Sequence, residues 1–111
     1  MTEITTHEHD VVIIGAGGAG LRAAIEASST GASVAMISKS MLGKAHTVMA
    51  EGGAAAALAN KDPRDSWEVH FRDTMKGGKY LGDWRMARIH AQQAPDRIRE
   101  LEQLSLIHIS E

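Results

Sequence analysis

Two hydrophobic rhythms divide the chain. Residues 2–10 are mostly polar, and Val11-Val12-Ile13-Ile14 is then an unbroken β-branched run. Such a run suits a strand buried on both faces, as in a parallel sheet. Gly15-Ala16-Gly17-Gly18-Ala19-Gly20 follows at once. Leu21 to Ala27 then read as helix, with Leu21, Ala24, Ile25 and Ser28 on one side. Gly31 fits a left-handed helix stop, and Ser33 to Ser38 read as a second strand. Strand, helix and strand within about 30 residues make a βαβ unit, so the fold class is α/β.

The second half follows a helical rhythm. Residues 39–53 have no clear period and read as an ordered loop, and a loop that long usually has a function. Ala54 to Ala59 can form a short helix ending at Asn60-Lys61-Asp62-Pro63. Asp65-x-x-Glu68 has capping-box spacing and predicts a helix over 66–76, with Trp67, Phe71, Thr74 and Met75 on one face. Gly77-Gly78 breaks it. Asp83 can cap a further helix carrying Met86, Ile89 and Gln93, and Pro95 is placed to open a last helix with Ile98 and Leu101 inward. His70 and His90 read as structural, His70 as packed and hydrogen-bonded. The arginines at 85, 88, 97 and 99 read as solvated or paired with Asp96, Glu100 and Glu102.

Composition narrows the functional classes. The chain has 111 residues, enough for one modest domain. With no Cys it cannot supply a disulfide, a thiolate zinc site or the ligands of an iron–sulfur cluster. A formal charge of −2 argues against binding nucleic acid through phosphate neutralisation. No segment reaches the roughly 18 apolar residues of a membrane span, and the acidic start is unlike a secretory signal.

The glycine turn carries the first chemistry. Gly15-x-Gly17-x-x-Gly20 between a buried strand and a helix is the context of a dinucleotide-binding turn. Gly15 permits the tight turn, Gly17 lets backbone approach a pyrophosphate, and Gly20 lets helix and strand pack closely. The helix N-terminus then offers N–H groups to phosphate. An acid is expected at the end of the second strand to bind ribose hydroxyls, but Ser38-Lys39-Ser40 stands there. That counts against a simple NAD site: Ser38 can still bond a ribose, and Lys39 suits a phosphate.

The segment from Ser38 to Gly53, with Gly43-Lys44-Ala45-His46-Thr47-Val48-Met49-Ala50-Glu51-Gly52-Gly53 at its heart, resembles the flavoprotein subunit of succinate dehydrogenase and fumarate reductase. The wording is most like actinobacterial-type members. The resemblance runs on through Asp65-Ser66-Trp67-Glu68-Val69-His70, Asp73-Thr74, Lys76-Gly77-Gly78, Tyr80-Leu81-Gly82-Asp83 and Ala94-Pro95-Asp96 to Glu100-Leu101-Glu102, covering about residues 9–103. It implies the N-terminal part of a Rossmann-like FAD-binding domain, incomplete in itself. It also implies FAD held covalently through His46, whose neutral imidazole nitrogen is a nucleophile. Ala16, Gly18 and Ala19 join Gly15, Gly17 and Gly20 at the pyrophosphate, with Ser38, Lys39 and Ser40 on the adenosine side. Thr47, Ala50, Glu51, Gly52 and Gly53 lie near the flavin. The stretch from Ser38 to His46 spans at most about 26 Å, enough to run beside an extended FAD.

By the same resemblance, the parent interconverts succinate and fumarate by hydride transfer at the flavin. Electrons leave through an iron–sulfur subunit to a membrane anchor, at the cytoplasmic face of the membrane. The catalytic arginine and the groups that bind the dicarboxylate belong to later parts of such subunits, so this chain holds no catalytic residue. L-Aspartate oxidase and soluble fumarate reductases are related alternatives, but they lack the histidine link. An inactive nucleotide-binding fragment is the non-enzyme alternative.

At Leu104 the pattern departs from the family. Leu104 to Glu111 back-translates to a string resembling the transposon-end adapter of sequencing libraries. Residues 1–103 are therefore expected to be the native part of the domain, and 104–111 a non-native tail.

Overall fold

The computed structural model describes residues 2–104. They fall into two compact units, the chain dividing between Gly52 and Gly53. The first holds β1 (Val11–Ile14), α1 (Gly18–Ser29), β2 (Val34–Ile37) and a short 3-10 turn (His46–Met49). The second holds α2 (Trp67–Gly77) and α3 (Trp84–Gln103).

In the first unit β1 and β2 pair in parallel, Val11 opposite Val34 and Ile14 opposite Ile37. The helix between them is the α crossover a parallel pair requires. The Asp10 carboxylate accepts the Ser33 N–H at 2.8 Å, and the His9 Nδ1 lies 2.8 Å from the Ser33 hydroxyl, fastening the entrances of the two strands. The α1 helix ends as the sequence predicts. The Gly31 N–H donates to the Ser28 carbonyl at 3.0 Å, with Gly31 at φ +85°, where a side chain would be strained.

Two packing expectations fail here. The strands are not covered on both faces: Val11 and Ile13 are half-buried, while Val12 is 55% and Ile14 85% exposed. A two-stranded sheet with one helix has only one face to cover. The inward side of α1 is also not the one carrying Leu21 and Ile25, which stay exposed. Gly20, Ala24 and Ala27 face inward instead. A Cβ built at Gly20 would collide with the Gly15 carbonyl, so α1 approaches β1 too closely for large side chains at the crossing.

The second unit departs from expectation in three places. Residues 54–59 form no helix, and Ala59 takes a left-handed φ of 55°. Alanine propensity is a weak preference, and six residues are too few to sustain a helix without packing. The cap of α2 is Ser66 rather than Asp65: the Ser66 hydroxyl accepts the Val69 N–H at 3.3 Å. Pro95 does not open a new helix but lies inside α3. It deprives the Ala91 carbonyl of its usual i+4 donor, yet the 20-residue helix continues through it.

The helix α3 starts at Asp83, whose carboxylate accepts the Arg85 and Met86 N–H groups at 2.8 and 3.3 Å. Its inward stripe is Ala87, Ala91, Ala94, Ile98 and Leu101, with Ala91 fully buried. Met86 and Ile89, predicted inward, are 62% and 42% exposed, and Gln93 is exposed as well. Against this stripe α2 turns Trp67, His70, Phe71 and Met75, while Thr74 stays exposed and donates its hydroxyl to the His70 carbonyl. His70 packs edge-on against His90, ring centroids 5.7 Å apart, but its buried Nδ1 meets no hydrogen-bond partner among the described residues. Packing therefore holds this histidine in place of the expected hydrogen bond. Arg97 and Arg99 pair with Glu100 and Asp96, while Arg85 and Arg88 lie over the Trp84 ring. Leu104 caps α3 through its N–H to the Glu100 carbonyl. The rest of the tail predicted as non-native, residues 105–111, lies outside the described residues.

Candidate functional site

The first unit contains a cleft of about 510 Å³. One wall is the end of β1 and the turn after it, Ile14 to Gly17; another is the end of β2, Ile37 to Ser40; the third is Lys44, Ala45 and His46. The cleft lies beyond the carboxyl ends of two parallel strands, where ligands bind in open α/β sheets. Its position follows from local sequence. The Gly15 N–H donates to the Ile37 carbonyl at 2.8 Å, closing the strand pair, and Gly15 at φ +109° then turns the chain into α1.

The floor suits an anion. The helix α1 points its positive end at the cleft and has no acidic residue in its first turn. The Leu21 N–H is already bonded to the Gly17 carbonyl at 2.9 Å, whereas no acceptor among the described residues meets the N–H groups of Ala19 and Gly20. Lys39 and Lys44 line the walls and add positive charge. A phosphate-bearing ligand fits this donor set, because backbone N–H groups and lysines both favour the ionised form.

Most of the sequence-predicted site residues converge. Gly15, Ala16, Gly17, Ser38, Lys39, Ser40 and His46 line the cleft directly. Gly18, Ala19 and Gly20 form the first turn of α1 beside it. Thr47 reaches back to the same turn, its hydroxyl accepting the Gly18 N–H at 2.9 Å. Ala50, Glu51 and Gly52 follow the 3-10 turn as exposed residues outside the cleft lining, and Gly53 belongs to the second unit. The structure adds Lys44 and Ala45, whose signal in the sequence was their position immediately before His46. A second cleft of about 450 Å³ in the other unit is lined by Asn60, Lys61, Asp62, Arg64 and Arg72 among others. Its Asp62 and Arg64 satisfy each other at 2.8 Å, and the guanidinium holds the Asp62 carboxyl below the usual carboxylate range.

Comparison with known proteins agrees with this geometry. Residues 10–110 match the family described as FAD binding domain. A component of the fumarate reductase (CoM/CoB) of Methanothermobacter marburgensis is 51% identical over 91% of this chain and 19% of its own length. The succinate dehydrogenase flavoprotein subunit of Rickettsia bellii is 46% identical over 89% of this chain and 16% of its own. Mycobacterium smegmatis Sdh1, solved in complex with UQ1, superposes with a TM-score of 0.82 at 66% identity, over 87% of this chain and 16% of the matched one. The chain thus spans less than a fifth of the length of these relatives. A parallel βαβ unit, an anion-adapted glycine turn and these matches lead to one assignment: the chain belongs to the FAD-binding-domain family, as an N-terminal portion like that of succinate dehydrogenase and fumarate reductase flavoprotein subunits.

Proposed function

We propose that this chain is the nucleotide-holding portion of a succinate:quinone oxidoreductase or fumarate reductase flavoprotein subunit, and that His46 bonds covalently to its FAD. The observation that supports this reading is that His46 lines the same cleft as the glycine turn. When bound, the flavin supplies the two-electron hydride chemistry that interconverts a dicarboxylate and its unsaturated partner. The chain's own residues hold and orient it. Gly15 to Gly20 receive the pyrophosphate at the N-terminus of α1, and Ser38, Lys39 and Ser40 flank the adenosine side. Lys44 adds positive charge to the wall, and His46 anchors the flavin. Thr47 closes the N-terminus of α1 through the Gly18 N–H, and Ala50, Glu51, Gly52 and Gly53 continue along the flavin side, where backbone N–H groups can stabilise charge on the reduced ring.

Substrate chemistry, in this reading, belongs to the parts of the subunit beyond this segment. A membrane anchor and an iron–sulfur subunit carry the electrons onward, with the flavoprotein attached peripherally at the cytoplasmic face. No helix among the described residues is long and apolar enough to cross a membrane. Residues 104–111 remain proposed as translated adapter, and continuous genomic read coverage through codon 111 would refute that.

The test is a chimera in which residues 10–103 of this chain replace the matching segment of the M. smegmatis Sdh1 chain. On a denaturing gel the chimera is expected to retain flavin fluorescence, and its His46→Ser variant to lose it. Flavin that washes away from both would leave a noncovalent flavoprotein and remove the covalent assignment.

A further inference from the structure

The helix α1 has an unusual cap. Its N-cap residue, Gly17, has no side chain to satisfy the first N–H groups. The missing acceptor comes from 29 residues downstream, where the Thr47 hydroxyl meets the Gly18 N–H at 2.9 Å. The Thr47 side chain lies flat on the glycine turn. A Cβ built at Gly18 would sit 3.3 Å from the Thr47 methyl, and one at Gly17 would sit 3.4 Å from its hydroxyl oxygen. Glycines at these two positions therefore also make room for Thr47.

Thr47 directly follows His46, and both belong to a turn closed from within. The Val48 N–H donates to the Ala45 carbonyl and the Ala50 N–H to the Thr47 carbonyl, each at 3.2 Å. Elsewhere in this loop the large apolar side chains make few contacts with the described residues: Met41, Leu42, Val48 and Met49 are 64–76% exposed. Ala45 is half-buried, and a Cβ at Gly17 would touch its methyl at 3.9 Å. The residues on either side of His46 are thus the ones that press against the glycine turn.

We infer that Thr47 is a positioning residue: by clasping the first N–H of α1, its hydroxyl sets His46 at a fixed place relative to the phosphate-binding turn. The inference rests on the reading that His46 carries the flavin. Bond formation joins a His46 ring nitrogen to the 8α carbon, with loss of one N–H and one C–H. The two hydrogens and their electron pair reduce the same isoalloxazine, so the bond itself needs no outside oxidant. Nothing in that balance requires Thr47 to touch the ring. Its contribution is to fix the backbone next to His46 against the glycine turn. Bonding Gly18 also leaves the N–H groups of Ala19 and Gly20 for phosphate.

The experiment uses the chimera described above, prepared without flavin, as wild type, Thr47→Ser, Thr47→Val and Thr47→Ala. Each is mixed with FAD, and acid-stable flavin fluorescence is followed over time. FAD affinity is measured separately in a His46→Ser background, where no covalent bond can form. Loss of one neutral hydrogen bond predicts attachment slowed about tenfold in Thr47→Val and Thr47→Ala. Thr47→Ser, which keeps the hydroxyl, should attach at close to the wild-type rate. Affinity in the His46→Ser background should change by much less than the attachment rate.

Attachment at the wild-type rate in both Thr47→Val and Thr47→Ala overturns the inference, as does a Thr47→Ser variant as slow as Thr47→Ala. A loss of affinity matching the loss of rate would make Thr47 a cofactor contact instead. If Thr47→Val fails to fold, Thr47→Ala against Thr47→Ser makes the same comparison. A wild-type chimera that holds FAD without any covalent bond removes the underlying reading, and the inference with it. That result is separable from wild-type attachment with indifferent Thr47 variants, which removes the inference alone.

Discussion

Gly20→Ala is the sharpest perturbation the fold offers. The added methyl would collide with the Gly15 carbonyl oxygen, with the Gly15 carbonyl carbon at 3.0 Å and the Ile13 Cγ2 at 3.4 Å. The principal obstacle is backbone, which no rotamer change can relieve. Either α1 moves away from β1 or the Gly15 turn deforms, and both loosen the cleft wall. Overpacking of this kind costs about 1–3 kcal/mol, and a backbone obstacle places it at the upper end. Gly82→Ala is the matched control, since a Cβ there meets nothing within 4 Å and its backbone needs no positive φ. The assay is urea unfolding of the chimera, with FAD titration of its His46→Ser form. Gly20→Ala should lower the unfolding free energy by about 2–3 kcal/mol. FAD affinity should weaken in parallel, because the distorted turn supplies the phosphate-facing N–H groups. Gly82→Ala should stay within about 0.5 kcal/mol. If Gly20→Ala matches Gly82→Ala in both measurements, the close approach of α1 to β1 does not exist as described.

Other outcomes follow from the second unit. Ser66→Ala should destabilise by about 1 kcal/mol through loss of the α2 cap, and Asp83→Ala by a comparable amount at α3, both read by urea unfolding. Asp65→Ala should have a smaller effect than Ser66→Ala; the reverse order would restore Asp65 as the cap. Pro95→Ala should stabilise by about 1–2 kcal/mol, because it returns an N–H donor to the Ala91 carbonyl within α3. Asp62 should titrate below its ordinary value of 3.8, chiefly because Arg64 donates to its carboxylate. Its small stabilising contribution is present above the ordinary value and lost as pH falls through the lowered one. A carboxyl-carbon NMR titration should show this, and Arg64→Ala should return Asp62 to the ordinary range.

The helix faces that differ from expectation share a physical origin. Periodicity identifies which side of a helix is apolar, and large residues dominate that judgement. In α1 they pointed to Leu21 and Ile25, whereas a helix packed almost against backbone turns its smallest residues inward, Gly20, Ala24 and Ala27. The same occurs in α3, where Ala91 and Ala94 are the buried residues and Met86 and Ile89 are not. Pro95 reads locally as a boundary, but packing on both sides of it outweighs one missing hydrogen bond.

The βαβ order, the glycine turn, the Gly31 stop and the presence of His46 near a dinucleotide-type motif were all legible in the residues alone. These are local properties of short segments: a β-branched run, an unhindered φ and a fixed spacing. Tertiary structure decided which faces meet, and that Ser66 rather than Asp65 caps α2. It also decided that the Thr47 hydroxyl closes the N-terminus of α1 from 29 residues away. A hydrogen bond across that separation exists only once two strands have paired and brought their ends together, so no local pattern could announce it.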